Sequence, residues 1–120
     1  MIDYSEIILP QKIKGIKLSN LEFYNLEGSF EKISIILEFQ VIDFTPLIDT
    51  DEIDIQINSN KDVEDYFISE NFEKYVNKEI LTFWKCVNSQ GYFDLFIFSI
   101  DSLTPTFSIL SEGSSLKVIT

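Results

Sequence analysis

The sequence predicts an α+β fold, a mostly antiparallel sheet of six to eight strands with one helical segment packed on one face. Three observations lead to this prediction. Several short segments alternate apolar and polar residues with the period of two that strands require. Turn residues separate these segments at close intervals. One stretch, residues 61–77, instead places its apolar residues at helical spacing, and it precedes the most apolar hairpin of the chain.

Length and composition predict one domain over residues 1–120. A chain of this length can bury about two-thirds of the surface that its unfolded form exposes. Its 45% of hydrophobic residues excludes the disordered class, and no apolar run approaches the roughly 20 residues of a membrane helix. The first residues carry acids before a short apolar run, unlike a signal peptide. We therefore expect a cytoplasmic protein without a membrane partner.

The first half of the chain predicts one strong strand flanked by weaker ones. Residues 12–24 alternate loosely around Gly15, which is typical of an edge or bulged strand. Residues 30–39 alternate strongly and form the strong strand. The next strand, within residues 40–48, contains Pro46, which cannot donate to a ladder and favours an edge or a strand end. The core face expected for the strong strand comprises Ile33, Ile35, Leu37 and Phe39.

The middle of the chain predicts an acidic strand followed by the helical segment. Residues 52–57 alternate isoleucines with acidic or amide side chains, as a half-buried strand with a solvated carboxylate face does. Ser59 and Asp62 then form a pattern that resembles a capping box at the start of residues 61–77. The acids in the first turns of this helix, which would complement its dipole, are Asp62, Glu64 and Asp65.

A central hairpin is predicted at residues 80–100. Two aromatic and β-branched runs flank a turn at residues 88–91, where Gly91 can adopt the positive φ of a bulged hairpin loop. Both faces of the two strands are mostly apolar, so we expect them in the middle of the sheet, with their aromatic residues, including Trp84, in the core. A last hairpin follows, with its turn around Gly113.

The missing residue types exclude several chemistries. The sequence has no histidine, which removes Ser–His and Cys–His nucleophile pairs and histidine-ligated metals. All nine basic residues are lysines, so no guanidinium fork is available to clamp a phosphate. The single cysteine, Cys86, lies within a predicted strand and is expected to be buried and inert. We predict no catalytic residue and no cofactor, and a binding protein is favoured over an enzyme.

The charge is concentrated in one part of the chain. The net charge of −11 argues against binding to nucleic acid. Residues 43–73 hold ten acids and one lysine, whereas residues 74–120 hold four of each. A surface of one sign steers partners of the opposite sign toward it, so we expect a basic protein partner. The acids expected to contact it are Asp49, Asp51, Glu52, Asp54, Asp62, Glu64 and Asp65.

Two other interpretations of these acids stay open. Clustered carboxylates at residues 49–54 are the ligand type that hard divalent cations prefer, and such a cation or ligand site is the alternative function. The spacing lacks the central glycine of an EF-hand, and strand alternation directs Asp51 and Glu52 to opposite faces, so we predict no metal. The acids could also serve only to keep the protein soluble.

The stretch from Trp84 to Asp94 resembles a motif of a family of small, acidic bacterial proteins of unknown function. In that family a tryptophan strand leads into Asn-x-Gln-Gly-Tyr-x-Asp, which is Asn88 to Asp94 in this chain. The resemblance extends over roughly residues 31–100 and implies no activity. By size and charge the chain is also similar to the immunity proteins that bacteria make against polymorphic toxins. That likeness implies a bacterial inhibitor that blocks a basic toxin, with a nuclease as one candidate.

Overall fold

The structure, a computed structural model, describes residues 6–20, 30–59 and 70–119. These residues form eight strands and one short 3-10 helix, Glu70–Tyr75. The strands coincide with the alternating segments of the sequence and end at turn residues such as Gly91 and Gly113, as strands do. The strands are β1 (Gln11–Asn20), β2 (Phe30–Leu37), β3 (Gln40–Leu47), β4 (Glu52–Ser59), β5 (Glu79–Val87), β6 (Phe93–Ile100), β7 (Phe107–Glu112) and β8 (Ser115–Ile119).

All eight strands belong to one antiparallel sheet in the order β1-β5-β6-β7-β8-β2-β3-β4. Because β1 also pairs with β2, the six strands from β1 to β2 in this order close into a barrel. Two of the strand pairings around the barrel, β1–β5 and β2–β8, are short. Gln11 and Lys12 pair with the start of β5, and Phe30 pairs with Leu116 of β8. The β3–β4 hairpin extends the sheet outside the barrel. In it, β3 pairs with β2, and β4 pairs with β3.

Large aromatic side chains fill the interior. Phe44, Phe96, Phe98 and Phe107 are at most 1% exposed. The Phe96 and Phe98 ring centroids lie 4.8 Å apart, and Phe98 stacks on Phe107 at 5.2 Å. Phe44 reaches the same cluster from β3, at 5.3 Å from Phe96. Burial of these rings, together with the isoleucines around them, is the main contribution to stability in this fold.

The α+β prediction is wrong, since the described part of the chain is built from strands and contains no α-helix. Of the predicted helix at residues 61–77, the structure describes residues 70–77, which form the 3-10 helix and a turn. Phe72 and Tyr75 are both buried, and a 3-10 helix places residues three apart on one face. The structure describes no helix long and apolar enough to cross a membrane.

Two residues predicted for the core lie at the surface. Phe39 is 59% exposed, because β2 ends at Leu37 and the chain turns there into β3. Trp84 is 37% exposed, because it faces away from the barrel interior. The apolar residues on both faces of the central hairpin predicted cover on at least one face and on part of the second. In the closed barrel only the inner face of β5 and β6 is packed, by Phe83, Phe96 and Phe98.

The other strand predictions are largely confirmed. β1 carries a register irregularity between Ile13 and Gly15, the bulge that the glycine indicated. Pro46 lies in β3 beyond Phe44, the last residue of β3 that pairs with β2, so its missing N–H costs no ladder bond with β2. In β4 the side chains of Ile53 and Ile55 are buried, as their alternation with polar residues predicted.

The turn of the central hairpin is built by Asn88. Its side-chain Oδ1 accepts hydrogen bonds from the backbone N–H groups of Gln90 and Tyr92, at 2.9 and 3.1 Å. Its Nδ2 donates to Asp94 Oδ2 at 3.2 Å. Gly91 then takes a φ of +86°, as the sequence predicted for this position. The Asn-x-Gln-Gly-Tyr-x-Asp pattern is therefore a turn-forming motif in this chain.

Replacing Gly91 by valine should destabilise the protein by about 1–2 kcal/mol, because a β-branched residue is strained at positive φ. Apart from residues 90–92 themselves, no heavy atom lies within 4 Å of the position of an added Cβ, so backbone strain and not a clash would cause the loss. Urea unfolding measures the change. Ser89→Val in the same exposed turn is the control and should stay within about 0.5 kcal/mol. Equal stability of the two variants would refute the assignment of strain to residue 91.

Candidate functional site

Three hairpin turns meet at one end of the barrel, which we call the three-turn end. They are the β3–β4 turn at residues 48–51, the β5–β6 turn at residues 88–92 and the β7–β8 turn at residues 113–114. Hydrogen bonds from the acidic segment at residues 49–54 join the first turn to the other two. The segment that the sequence marked as a candidate site therefore lies at this end.

Asp51 connects the β3–β4 turn to the β7–β8 turn. Its backbone has a φ of +56°, which an aspartate tolerates better than most residues. Its Oδ1 accepts a hydrogen bond from the backbone N–H of Ser114 at 2.7 Å. Gly113 and Ser114 both have positive φ, as in a two-residue type I′ turn. The carboxylate of Asp51 thus supports a tight turn that lies 63 residues away in sequence.

Glu52 connects the same segment to the start of β6. Its Oε2 accepts a hydrogen bond from the backbone N–H of Phe93 at 3.1 Å. Its Oε1 accepts one from the hydroxyl of Thr50 at 3.0 Å. Both oxygens of this half-buried carboxylate are therefore engaged in holding the turns together. Asp51 and Glu52 have structural roles that the sequence did not reveal, since their partners come from distant hairpins.

Asp49 and Asp54 have no such structural role. The Asp49 side chain is exposed in the turn, and Asp54 is half-buried on β4 opposite Thr45. Neither carboxylate takes part in a hydrogen bond or ion pair with the rest of the described chain. These two carboxylates are free to contact a partner. The remaining predicted site residues, Asp62, Glu64 and Asp65, lie outside the described residues.

The negative charge of this segment is not neutralised by lysines of the described chain. Ion pairs between described residues join Lys32 to Asp43, Lys78 to Asp101 and Lys117 to Glu112, at 4.0, 3.6 and 3.7 Å. None of these pairs includes a residue of 49–54. Exposed charges in high dielectric interact weakly at contact but add to a long-range field. The acids at residues 49–54 therefore contribute a negative charge that no ion pair between described residues offsets.

Exposed apolar side chains accompany the acids at this end. Leu47 and Ile48, just before Asp49, are 44% and 75% exposed. Val87 and Tyr92, which flank the β5–β6 turn, are 55% and 37% exposed. Protein interfaces combine an apolar centre with a polar rim, and this end offers both. These apolar residues were not predicted as part of a site, and the one signal for them in the sequence is Ile48, directly before the acidic turn.

The acids do not converge as metal ligands would. In the described ranges, no group of three or more carboxylate or thiol side chains is close enough together to hold a metal ion. Asp51 and Glu52 direct their oxygens to the amides of Ser114 and Phe93. A hard cation needs several oxygens converging within about 2.3–2.6 Å of one point. The arrangement of the described carboxylates therefore does not support a divalent-cation site at residues 49–54.

Comparison with known proteins adds a family but no activity. No curated protein and no solved structure matches the chain. A family model matches residues 1–120, and its description is a family of unknown function. This agrees with the resemblance to a functionally uncharacterised family, while the likeness to immunity proteins stays a prediction. With a match over its whole length, the chain belongs to DUF6334, a family of unknown function.

Proposed function

We propose that this protein is a non-catalytic binding protein that uses the three-turn end to bind and block a basic protein. The observation that carries the proposal is the unneutralised pair Asp49 and Asp54 beside exposed Leu47 and Ile48. Charge of one sign brings a basic partner to the surface and sets its orientation. The apolar side chains then supply the desolvated contacts that hold it.

The class of partner that we propose is a bacterial toxin domain, which this protein neutralises as an immunity protein in the cytoplasm of the producing cell. A nuclease fits the charges best, because an enzyme that acts on a polyphosphate needs a cationic cleft. Carboxylates at residues 49–54 would occupy that cleft in place of phosphates. Asp62, Glu64 and Asp65, which lie outside the described residues, are proposed as further contacts because of their charge alone.

Reversing the two free acids tests this function. The Asp49→Lys/Asp54→Lys variant leaves the structural carboxylates of Asp51 and Glu52 intact. The partner to use is the toxin domain encoded beside the gene of this chain, and the readouts are its affinity for the purified protein and bacterial survival on co-expression. Reversal should weaken binding about 10- to 100-fold at low salt. The difference should shrink as salt screens the charges.

The matched control is Glu6→Lys/Glu73→Lys, which changes the net charge by the same amount. Both side chains are exposed. The Glu6 carbonyl contacts Gln40 at the opposite end of β3 from the three-turn end. This variant should keep most of its affinity and protect cells fully. Equal binding by both variants and the parent would mean that the acidic segment only keeps the protein soluble. A neighbouring gene without a toxin domain would contradict the immunity role.

A further inference from the structure

The outer face of strands β5 to β8 is unusually apolar for a sheet surface. Side chains that alternate with the buried Phe96, Phe98, Phe107 and Ile109 point outward. The strand register places them in two rows that cross all four strands. One row is Trp84, Ile97, Ser108 and Ile119. The other row is Cys86, Leu95, Leu110 and Lys117.

Six of these eight outward positions are apolar, and solvent reaches them. Trp84 and Ile119 are 37% and 49% exposed, and the other four apolar residues of the two rows are half-buried. An antiparallel sheet with one solvated face normally alternates apolar and polar residues. A contiguous apolar patch on a protein surface marks an interaction site. The outer face of β5–β8 therefore has the composition of an interface.

Charge indicates which partner this face can accept. The whole chain carries −11, so two copies repel each other wherever their acidic segments approach. Residues 74–120, which contain β5 to β8, carry four acids and four lysines and are neutral. On the β7–β8 side of the face, Lys117 and Glu112 form an ion pair at 3.7 Å. A neutral face with paired charges of both signs is complementary to a copy of itself but offers no attraction to a strongly basic protein.

We propose that the outer face of β5–β8 is the interface of a symmetric homodimer. A twofold axis places the same patch of each copy against the other, so one apolar face suffices for a closed dimer. Homodimer interfaces are more apolar than other surfaces and are enriched in aromatic side chains, and Trp84 provides an aromatic side chain at the β5 side of this face. In this arrangement Asp49 and Asp54, at the β3–β4 hairpin, lie outside the interface.

Sedimentation velocity of the full chain over a range of protein concentrations tests the dimer. We expect a dimer for the parent protein at micromolar concentrations and physiological salt. Trp84→Lys and Ile119→Lys each place a charge in the interface and should weaken dimerisation at least about tenfold. Both side chains are already exposed, so the folded monomer tolerates the change. Leu103→Lys, at a 75% exposed residue outside this face, is the matched control and should dimerise normally.

Cys86 gives a second readout that needs no variant. It is the only cysteine, and it lies half-buried on the proposed interface. Its rate of reaction with a maleimide should fall as protein concentration rises through the dimerisation range. A monomeric parent protein, a constant labelling rate, or dimers unaffected by Trp84→Lys and Ile119→Lys would overturn the proposal. Asp49 and Asp54 lie in the β3–β4 hairpin, outside the proposed interface, so the Asp49→Lys/Asp54→Lys variant should dimerise like the parent protein. Whether this variant binds the toxin domain therefore does not test the dimer.

Discussion

Replacing Phe96 by alanine should destabilise the protein by about 3–5 kcal/mol, the loss expected when a buried phenylalanine leaves a cavity. Phe96 is fully buried, and its ring lies within 4.8 to 6.1 Å of the rings of Phe44, Phe83, Phe93 and Phe98. These rings come from three different strands. Such a loss is a large part of the roughly 5–15 kcal/mol that stabilises an ordinary domain.

Phe39→Ala is the matched control for Phe96→Ala, since both variants remove the same side chain. Phe39 is 59% exposed in the turn between β2 and β3. Its removal should change the free energy of unfolding by less than about 0.5 kcal/mol. Chemical denaturation monitored by circular dichroism measures both. If Phe96→Ala were no more destabilising than Phe39→Ala, the ring cluster would not be the core of the barrel.

Replacing Glu52 by alanine should cost about 1–3 kcal/mol, because the backbone N–H of Phe93 would lose its acceptor in a partly buried site. The hydroxyl of Thr50 would lose its acceptor as well. Of the two side-chain hydrogen bonds that join this segment to the other hairpin turns, only that of Asp51 to Ser114 would remain. Beyond the loss of stability, we expect faster amide hydrogen exchange at Phe93 and in the β3–β4 turn.

Asp49→Ala is the control for Glu52→Ala. It removes an acid of the same segment, but the Asp49 side chain is exposed and supports no other part of the described chain. Its stability should equal that of the parent protein within about 0.5 kcal/mol. Equal losses for the two variants would show that the general charge of the segment matters, and that the contact to Phe93 does not.

Local patterns predicted the strands well because the alternation of apolar and polar residues that marks a half-buried strand is visible within a few neighbouring residues. The alternation in β4, the bulge at Gly15 and the turns at Gly91 and Gly113 were all visible in sequence. Over residues 70–77, the described part of the predicted helix, the inference of an α-helix from apolar spacing was wrong. Phe72 and Tyr75 fit helical spacing, but the three-residue interval between them is equally satisfied by the 3-10 helix that the structure contains.

The closed barrel was not predictable, because it depends on contacts between distant residues. The β1–β5 contact joins Gln11 to Ile80, and the β2–β8 contact joins Phe30 to Leu116. Each involves only one or two residue pairs, so no extended pattern marks it. An open sheet requires covering elements on both faces of an apolar hairpin. A closed barrel packs one face inside and leaves the other, with Trp84, at the surface.

The candidate site shows the same division. Sequence identified the acidic segment at residues 49–54, because charge is a property of composition. It could not separate the free acids, Asp49 and Asp54, from Asp51 and Glu52. Asp51 binds Ser114, which lies 63 residues away in sequence. Glu52 binds Phe93, which lies 41 residues away.

By itself, then, the sequence determined the antiparallel strands, their turns, the location of the negative charge and the absence of histidine and arginine chemistry. These depend on residue type and on interactions along a few neighbouring residues. The tertiary structure alone decided the barrel closure, the two structural carboxylates and the apolar outer face of β5–β8. Each of these requires strands far apart in sequence to pair, and the register of such pairing is set by the packing of the whole core.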